Sequence, residues 1–152
     1  MTHLKPGDIA PGFSEDNNDI KISSFEKFKG KRLIIYFYPK DNTPGCTAEA
    51  CNLRDNYQTL RDNKFEIIGI SPDNDNSHQK FSLKYNLPFE LISDPEKKII
   101  KAYGVWGEKK IFGKITEGVF RTSFIIDKNG KIENIFKKVQ TKNHAQQILD
   151  KQ

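Results

Sequence analysis

The sequence predicts an α/β fold, a mixed central β-sheet flanked by helices. Three observations carry this prediction. Residues 33–38, LIIYFY, form an unbroken apolar run ending at Pro39, the pattern of a strand covered on both faces. Early in the chain such runs alternate with helix-length segments, which favours parallel pairing through crossovers. Late in the chain an Asn129-Gly130 pair separates two shorter runs, which favours an antiparallel hairpin.

The elements follow in order. After the strand at 33–38, residues 44–63 read as one helix, because Cys46, Ala50, Leu53, Tyr57 and Leu60 recur at spacings of four, three, four and three. FEIIGIS at 65–71 is a second buried strand. Residues 75–85, DNSHQKFSLKY, read as a helix with Phe81 and Tyr85 four apart. FELISD at 89–94 and EKKIIKAYG at 96–104 add a strand and a helix. TSFIID at 122–127 turns through KNGK into IENIFKKV, and KNHAQQILDKQ closes the chain as a last helix. No repeat, low-complexity run or long linker divides these elements, and 152 residues suit one core, so a single domain over 1–152 is expected.

Charge narrows the function. The chain carries 25 basic and 20 acidic residues, a net +5, with 11% aromatics, which raises the possibility of a nucleic-acid binder. The lysines come as scattered pairs with acids between them, so a solvated basic surface is expected and no nucleic-acid partner. The N-terminus lacks a charged head followed by an apolar run, and no stretch reaches the ~18 apolar residues of a membrane span. A cytoplasmic protein without a membrane partner is expected. There thiols stay reduced, so two cysteines close in sequence are reactive groups rather than a permanent staple. Neither they nor the dispersed His3, His78 and His144 offer CxxC or HxxxH pairings, so no metal and no other cofactor is expected.

Cys46 falls on the apolar stripe of the 44–63 helix, whereas Cys51 lies about 140° away around the wheel, beside Thr47, Asp55 and Gln58. A buried hydrophobe's role fits Cys51 poorly, and a chemical role fits better. Five helical residues separate the two Cα atoms by roughly 8 to 9 Å, more than the ~7 Å a disulfide tolerates. The pair bonds only if the first turns unravel.

The approach to this helix suits an anion. Thr43 is a good N-cap, Pro44 fits the first helical position, and Gly45 admits close approach to the backbone. Cys46 is then the third helical residue, beside unpaired N–H groups at the positive end of the helix dipole. Thiols in such positions have pKa values lowered from about 8.5 to roughly 3.5–7.5.

Pro39, Thr43 and Cys46 stand in the spacing P-x-x-x-T-x-x-C, which resembles the active-site motif of peroxiredoxins. The string YPKDNTPGCTAEACNLRD is similar to the subgroup called peroxiredoxin Q or bacterioferritin comigratory protein. The resemblance extends through LKPGDIAPGF, FKGKRLIIYFYP, IIGIS with Asp73, LISDPEKKIIKAYGVWGEKK and FRTSFIIDKNGKI before FKKV. It implies one thioredoxin-like domain of the AhpC/TSA type. It also implies roles: Cys46 as the peroxidatic cysteine, which becomes a sulfenic acid, and Cys51 as the resolving cysteine, which condenses with it into an intramolecular disulfide. Thr43 matches the threonine that contacts the peroxide, Pro39 the proline that shields the pocket, Arg121 the arginine that meets thiolate and peroxide, and Glu49 the glutamate that holds this arginine. Three positions depart from the usual pattern: Ser123 where threonine is commoner, Gly12 where aspartate often sits, and Asn143 where glycine is frequent.

The expected function is therefore thiol-dependent reduction of hydrogen peroxide and organic hydroperoxides, with thioredoxin or a similar dithiol reductant regenerating the cysteines. The resemblance suggests a monomer, since both sulfurs lie in one chain. The alternative is a peroxide sensor or redox-switched interaction protein, in which unravelling is itself the signal.

Overall fold

In the computed structural model, the structure describes residues 2–12, 28 and 30–152. Phe13 and Lys29, part of two segments quoted above, lie outside the described residues. Strand β1 spans Arg32–Phe37. Its alternation feeds two cores, with Leu33, Ile35 and Phe37 in one and Ile34, Tyr36 and the following Tyr38 in the other. An apolar or aromatic residue at every position after Arg32 is what a strand buried on both sides needs.

Two parallel partners extend the sheet on one side, β2 (Phe65–Ser71) against β1 and β3 (Glu90–Ser93) against β2. On the other side β6 (Thr122–Ile126) runs antiparallel to β1, and β7 (Ile132–Phe136) antiparallel to β6. The order is β3-β2-β1-β6-β7, the mixed sheet the sequence predicts. The β6–β7 connection holds the expected Asn129-Gly130 turn. Gly130 takes φ +81°, and the Asp127 carboxylate accepts from the N–H groups of Asn129 and Lys131.

Helices cover both faces. Helices α1 (Pro44–Asp55), α2 (Tyr57–Asp62), α3 (Asp75–Tyr85) and α5 (His144–Leu149) contribute Cys46, Ala50, Leu53, Leu60, Phe81, Ala145 and Ile148 to one core. Helix α4 (Lys98–Ala102) contributes Ile99 and Ile100 to the other. The bounds of α3 match the sequence reading: the Asn74 side chain accepts from Ser77 N–H at one end, and Asn86 enters the left-handed region at φ 51° at the other.

Two expectations need correction. The helix at 44–63 is two helices, because Asn56 (φ −108°, ψ 12°) donates its side-chain amide to Asn52 O at 2.9 Å and leaves helical geometry. The apolar stripe continues across the break, so the wheel placed Leu60 correctly in the core. Residues 106–119, given no strand above, form a separate antiparallel hairpin of β4 (Trp106–Ile111) and β5 (Lys114–Val119). Phe112 and Gly113 make its tip with φ 51° and 78°, the positive pair a tight hairpin requires.

Candidate active site

The loop from β1 into α1 carries the P-x-x-x-T-x-x-C residues, and the sheet determines where it starts. Pro39 lies half-buried just past β1. Thr43 occupies the N-cap position, Pro44 opens α1 and Cys46 is its third residue, as the sequence predicts. The Thr43 side chain, however, does not cap. Its hydroxyl donates to Lys40 O at 2.8 Å, while its carbonyl accepts the helix's first bond from Thr47 N–H at 2.8 Å. Asn42, at φ 60°, curls the loop and brings the Lys40 carbonyl within reach of this hydroxyl. The N–H groups of Gly45 and Cys46 precede the first helical bond and remain free to donate to an anion.

Cys46 is buried at 2% exposure on the sheet side of α1. Arg121, the residue before the interior strand β6, supplies the neighbouring guanidinium. Its Nη2 donates to Cys46 Sγ at 3.3 Å, and its Nη1 donates to Glu49 Oε1 at 2.7 Å. A Cβ on Gly45 would lie 3.1 Å from Arg121 Nη2, so the glycine also makes room for the guanidinium. Glu49 is fully buried. Burial pushes its carboxyl up to about 7, against the opposing charge and hydrogen bond of Arg121. Arg121 keeps its charge: burial opposes it, but Glu49 and Cys46 outweigh burial and raise its pKa.

Cys51 is half-buried on another side of the same unbroken helix, and both thiols are free. The next residue is anchored. Asn52 Oδ1 accepts from Ala145 N–H at 2.8 Å, and Asn52 Nδ2 donates to Lys142 O at 3.0 Å, clasping the start of α5. The structure thus brings Thr43, Gly45, Cys46, Glu49 and Arg121 together and holds Cys51 apart from Cys46.

Sequence reasoning missed two groups around this site. Asp41, from the same loop, is buried and accepts from Tyr38 OH at 2.6 Å and Ser77 Oγ at 2.8 Å, with His78 Nδ1 at 2.7 Å. His78 Nε2 lies 3.1 Å from Ile92 O, an acceptor only, and so carries a proton too. Burial opposes charge on both partners, but their mutual bond outweighs it: Asp41 is held below the usual carboxylate range and His78 above the usual imidazole value. The Asp41 N–H is fixed by Asp73 at 2.8 Å, and Ser71 Oγ donates to the same Asp73 oxygen. Asp41, Asp73 and His78 are the group among the described residues with metal-ligand proximity, and their donor atoms are engaged in these hydrogen bonds. His78 precedes Phe81 by three on the buried stripe of α3, a spacing that marks it as an inward residue. The second missed group, His144 at the start of α5, lies 3.8 Å from Glu49 Oε2.

Residues 6–135 match the AhpC/TSA family. The chain belongs to the AhpC/TSA family. It is 43% identical to Peroxiredoxin Bcp of Escherichia coli strain K12, over 99% of this chain and 96% of that one. It is 42% identical to Peroxiredoxin Bcp of Bacillus subtilis strain 168, over 96% and 93% of the two chains. A solved structure of the Xanthomonas campestris bacterioferritin comigratory protein, described for its alkyl peroxide reduction activity, superposes with a TM-score of 0.78 at 33% identity, covering 84% of this chain and 82% of that one. The mixed sheet is that of the thioredoxin-fold peroxiredoxins, and the enzyme is a thiol-dependent peroxidase.

Proposed function

We propose that Cys46 is the peroxidatic residue and Cys51 its resolving partner in a cycle that reduces hydrogen peroxide and alkyl hydroperoxides. The observation that carries this reading is Arg121, whose fork joins Cys46 Sγ and the buried Glu49. A thiolate at Cys46 attacks the distal peroxide oxygen; the O–O bond breaks, the sulfur keeps the distal oxygen as a sulfenic acid, and the departing alkoxide or hydroxide takes up a proton. Charge grows on that departing oxygen, so donors fixed beforehand lower the barrier most. The Arg121 guanidinium and the N–H groups of Gly45 and Cys46 are those donors; the Thr43 hydroxyl, whose proton goes to Lys40 O, keeps lone pairs that can accept from the peroxide O–H. Pro39 screens the pocket from water.

Cys51 then attacks the sulfenic sulfur, forming the disulfide and releasing water. This needs α1 to unwind between the two cysteines, with Asn52 fixed to α5 as the downstream limit of unwinding. A thioredoxin-like dithiol protein reduces the disulfide by exchange and is itself oxidised. Both sulfurs belong to one chain, so a monomer completes the cycle, and a cytoplasmic setting supplies the reductant. No helix among the described residues is long and apolar enough to cross a membrane.

The test is peroxide consumption coupled to thioredoxin and its reductase. Cys46→Ser abolishes turnover, whereas Cys51→Ser consumes one equivalent and stalls as the sulfenic acid. Sustained turnover by Cys46→Ser overturns the assignment. A single stoichiometric oxidation of the wild type, without turnover, supports a sensor instead.

A further inference from the structure

Behind Arg121 lies a buried polar pair to which the cycle above gives no part. Glu49 and His144 are both fully buried, and Glu49 Oε2 has no hydrogen-bond partner among the described residues. His144 Nε2 stands 3.8 Å from it, beyond hydrogen-bonding distance. An ion pair sealed from water would close that gap. The hydrogen bonds around His144 explain why it stays open. Gln147 Oε1 accepts from Gln140 N–H at 2.8 Å and Gln147 Nε2 donates to Lys138 O at 3.0 Å, which fixes the orientation of the amide. His144 Nδ1, 2.9 Å from that same Oε1, must therefore carry the ring's proton. In a neutral ring Nε2 is then bare, and it accepts from Ser123 Oγ at 2.7 Å. Glu49 Oε2 thus meets a nitrogen that has no proton to give, its lone pair already taken by Ser123, where it needs a donor.

We propose that His144 is a positioning residue of the peroxidatic site: by placing a nitrogen without a proton beside Glu49 Oε2, it denies the carboxylate a donor, keeps a proton on that carboxyl and leaves the full charge of Arg121 to Cys46 and the departing oxygen. Burial acts on the two groups in the same sense. It pushes Glu49 up to about 7, and it pulls His144 down to about 4, the Arg121 charge adding and the Gln147 bond opposing. Between those values the pair is neutral, a carboxylic acid beside a bare imidazole nitrogen. The other ionisable groups facing Glu49 are Arg121 ahead of β6, Cys46 on α1 and Tyr36 on β1, a phenol that burial, then the charges of Glu49 and Cys46, keep protonated. Lys109 on β4 adds a cation that senses Arg121 and Cys46. His144 faces Glu49, Ser123, Gln147 and the edge-on ring of Phe136. None of these offers Glu49 Oε2 a hydrogen bond.

When Glu49 ionises, Arg121 is shared with a full negative charge, and the first oxidation step slows. The rate constant for peroxide with Cys46 therefore carries an alkaline limb near pH 7, a fall of about tenfold. His144→Gln brings an amide N–H within reach of Oε2 while its carbonyl accepts from Ser123, so the limb moves to lower pH by about one unit. Ser123→Ala frees Nε2 to accept a hydrogen bond from the protonated Glu49 O–H, which stabilises the neutral acid, so the limb moves the opposite way.

The proposal rests on Cys46 being peroxidatic, so the experiment joins stopped-flow oxidation kinetics from pH 5 to 9 to two readouts independent of activity. Isotope-edited infrared spectra of the reduced wild type should show a protonated carboxyl at pH 6 that is absent from Glu49→Gln. Nitrogen-15 NMR should show His144 with its proton on Nδ1 and Nε2 bare. A protonated His144 ring at pH 6, an ionised Glu49 at pH 6, or limbs that coincide in the two variants would each overturn the proposal. Absence of the limb while Cys46 still oxidises would also overturn it, whereas absence of Cys46 oxidation with both spectra intact would instead place the fault in the role given to Cys46. If neither variant folds, the two wild-type spectra decide.

Discussion

Replacing Arg121 with Met separates what the guanidinium does for the reaction from what it does for the fold. For the reaction, the variant loses a donor that sits 3.3 Å from Cys46 Sγ. Removing one prepositioned donor of this kind costs about 10²–10³ in rate. For the fold, it leaves Glu49 fully buried without its 2.7 Å partner. That cost depends on pH, because Glu49 titrates at about 7 even with Arg121 present, against 4.5 in an unperturbed chain. A carboxyl whose folded pKa is raised contributes stability that is complete below the unfolded value and is lost as pH rises through the folded one. At pH 5.5 the variant therefore buries a neutral acid and loses about 1–3 kcal/mol. At pH 8.5 it must bury an unpaired charge or hold a proton against the solvent, and the loss grows to about 3–5 kcal/mol. Adding Glu49→Gln removes the charge, so the double variant recovers stability at pH 8.5 and recovers no activity. Urea denaturation under reducing conditions at the two pH values, beside stopped-flow oxidation by peroxide, measures both effects. Equal destabilisation of Arg121→Met at both pH values, or rescued kinetics in the double variant, would refute this reasoning.

Other outcomes follow from the same geometry. Gly45→Ala pushes a methyl to 3.1 Å from Arg121 Nη2, so peroxide reactivity should fall about tenfold while the urea midpoint barely moves. Asp41→Asn breaks a buried pair with His78 and should cost about 3 kcal/mol at neutral pH by urea denaturation. The pair's contribution is bounded on both sides: the Asp41 part is lost as pH falls through its lowered pKa, and the His78 part as pH rises through its raised one, so the variant's deficit should shrink at either extreme. Asn52→Ala releases the clasp on α5 and should lower stability by about 1–2 kcal/mol, while disulfide formation, followed by rapid acid quench and mass spectrometry, becomes faster.

The parts of this fold legible in the sequence are those whose burial is total or whose ends are marked by side chains. Strand β1 is apolar at nearly every position because both of its faces are covered, and α3 carries Asn at both caps. The β4–β5 hairpin escaped notice for the opposite reason. It stands apart from the main sheet, exposes Ile111, Phe112 and Ile115, and pairs Gly107 with Gly118, so it shows neither alternation nor an apolar run. At the site, the helix position of Cys46 and the offset of Cys51 were readable from spacing alone. The Arg121–Glu49 bond joins residues 72 positions apart and was reached only through resemblance to a family. His78 and His144 looked dispersed because Asp41 beside the one, and Ser123 and Glu49 beside the other, come from other elements. The buried spacings of His78 with Phe81 and His144 with Ile148 are the faint local signals that they point inward.

The proposed cycle requires Cys46 to react first and α1 then to unwind and deliver Cys51, and one mass spectrum tests both. Reduced protein is treated with one equivalent of peroxide, quenched with an alkylating agent and digested. The peptide holding residues 46–51 should lack two hydrogen atoms and take up no alkyl group, and in Cys51→Ser the same peptide should carry its added oxygen on Cys46. Oxygen found on Cys51 with Cys46 alkylated would contradict the account.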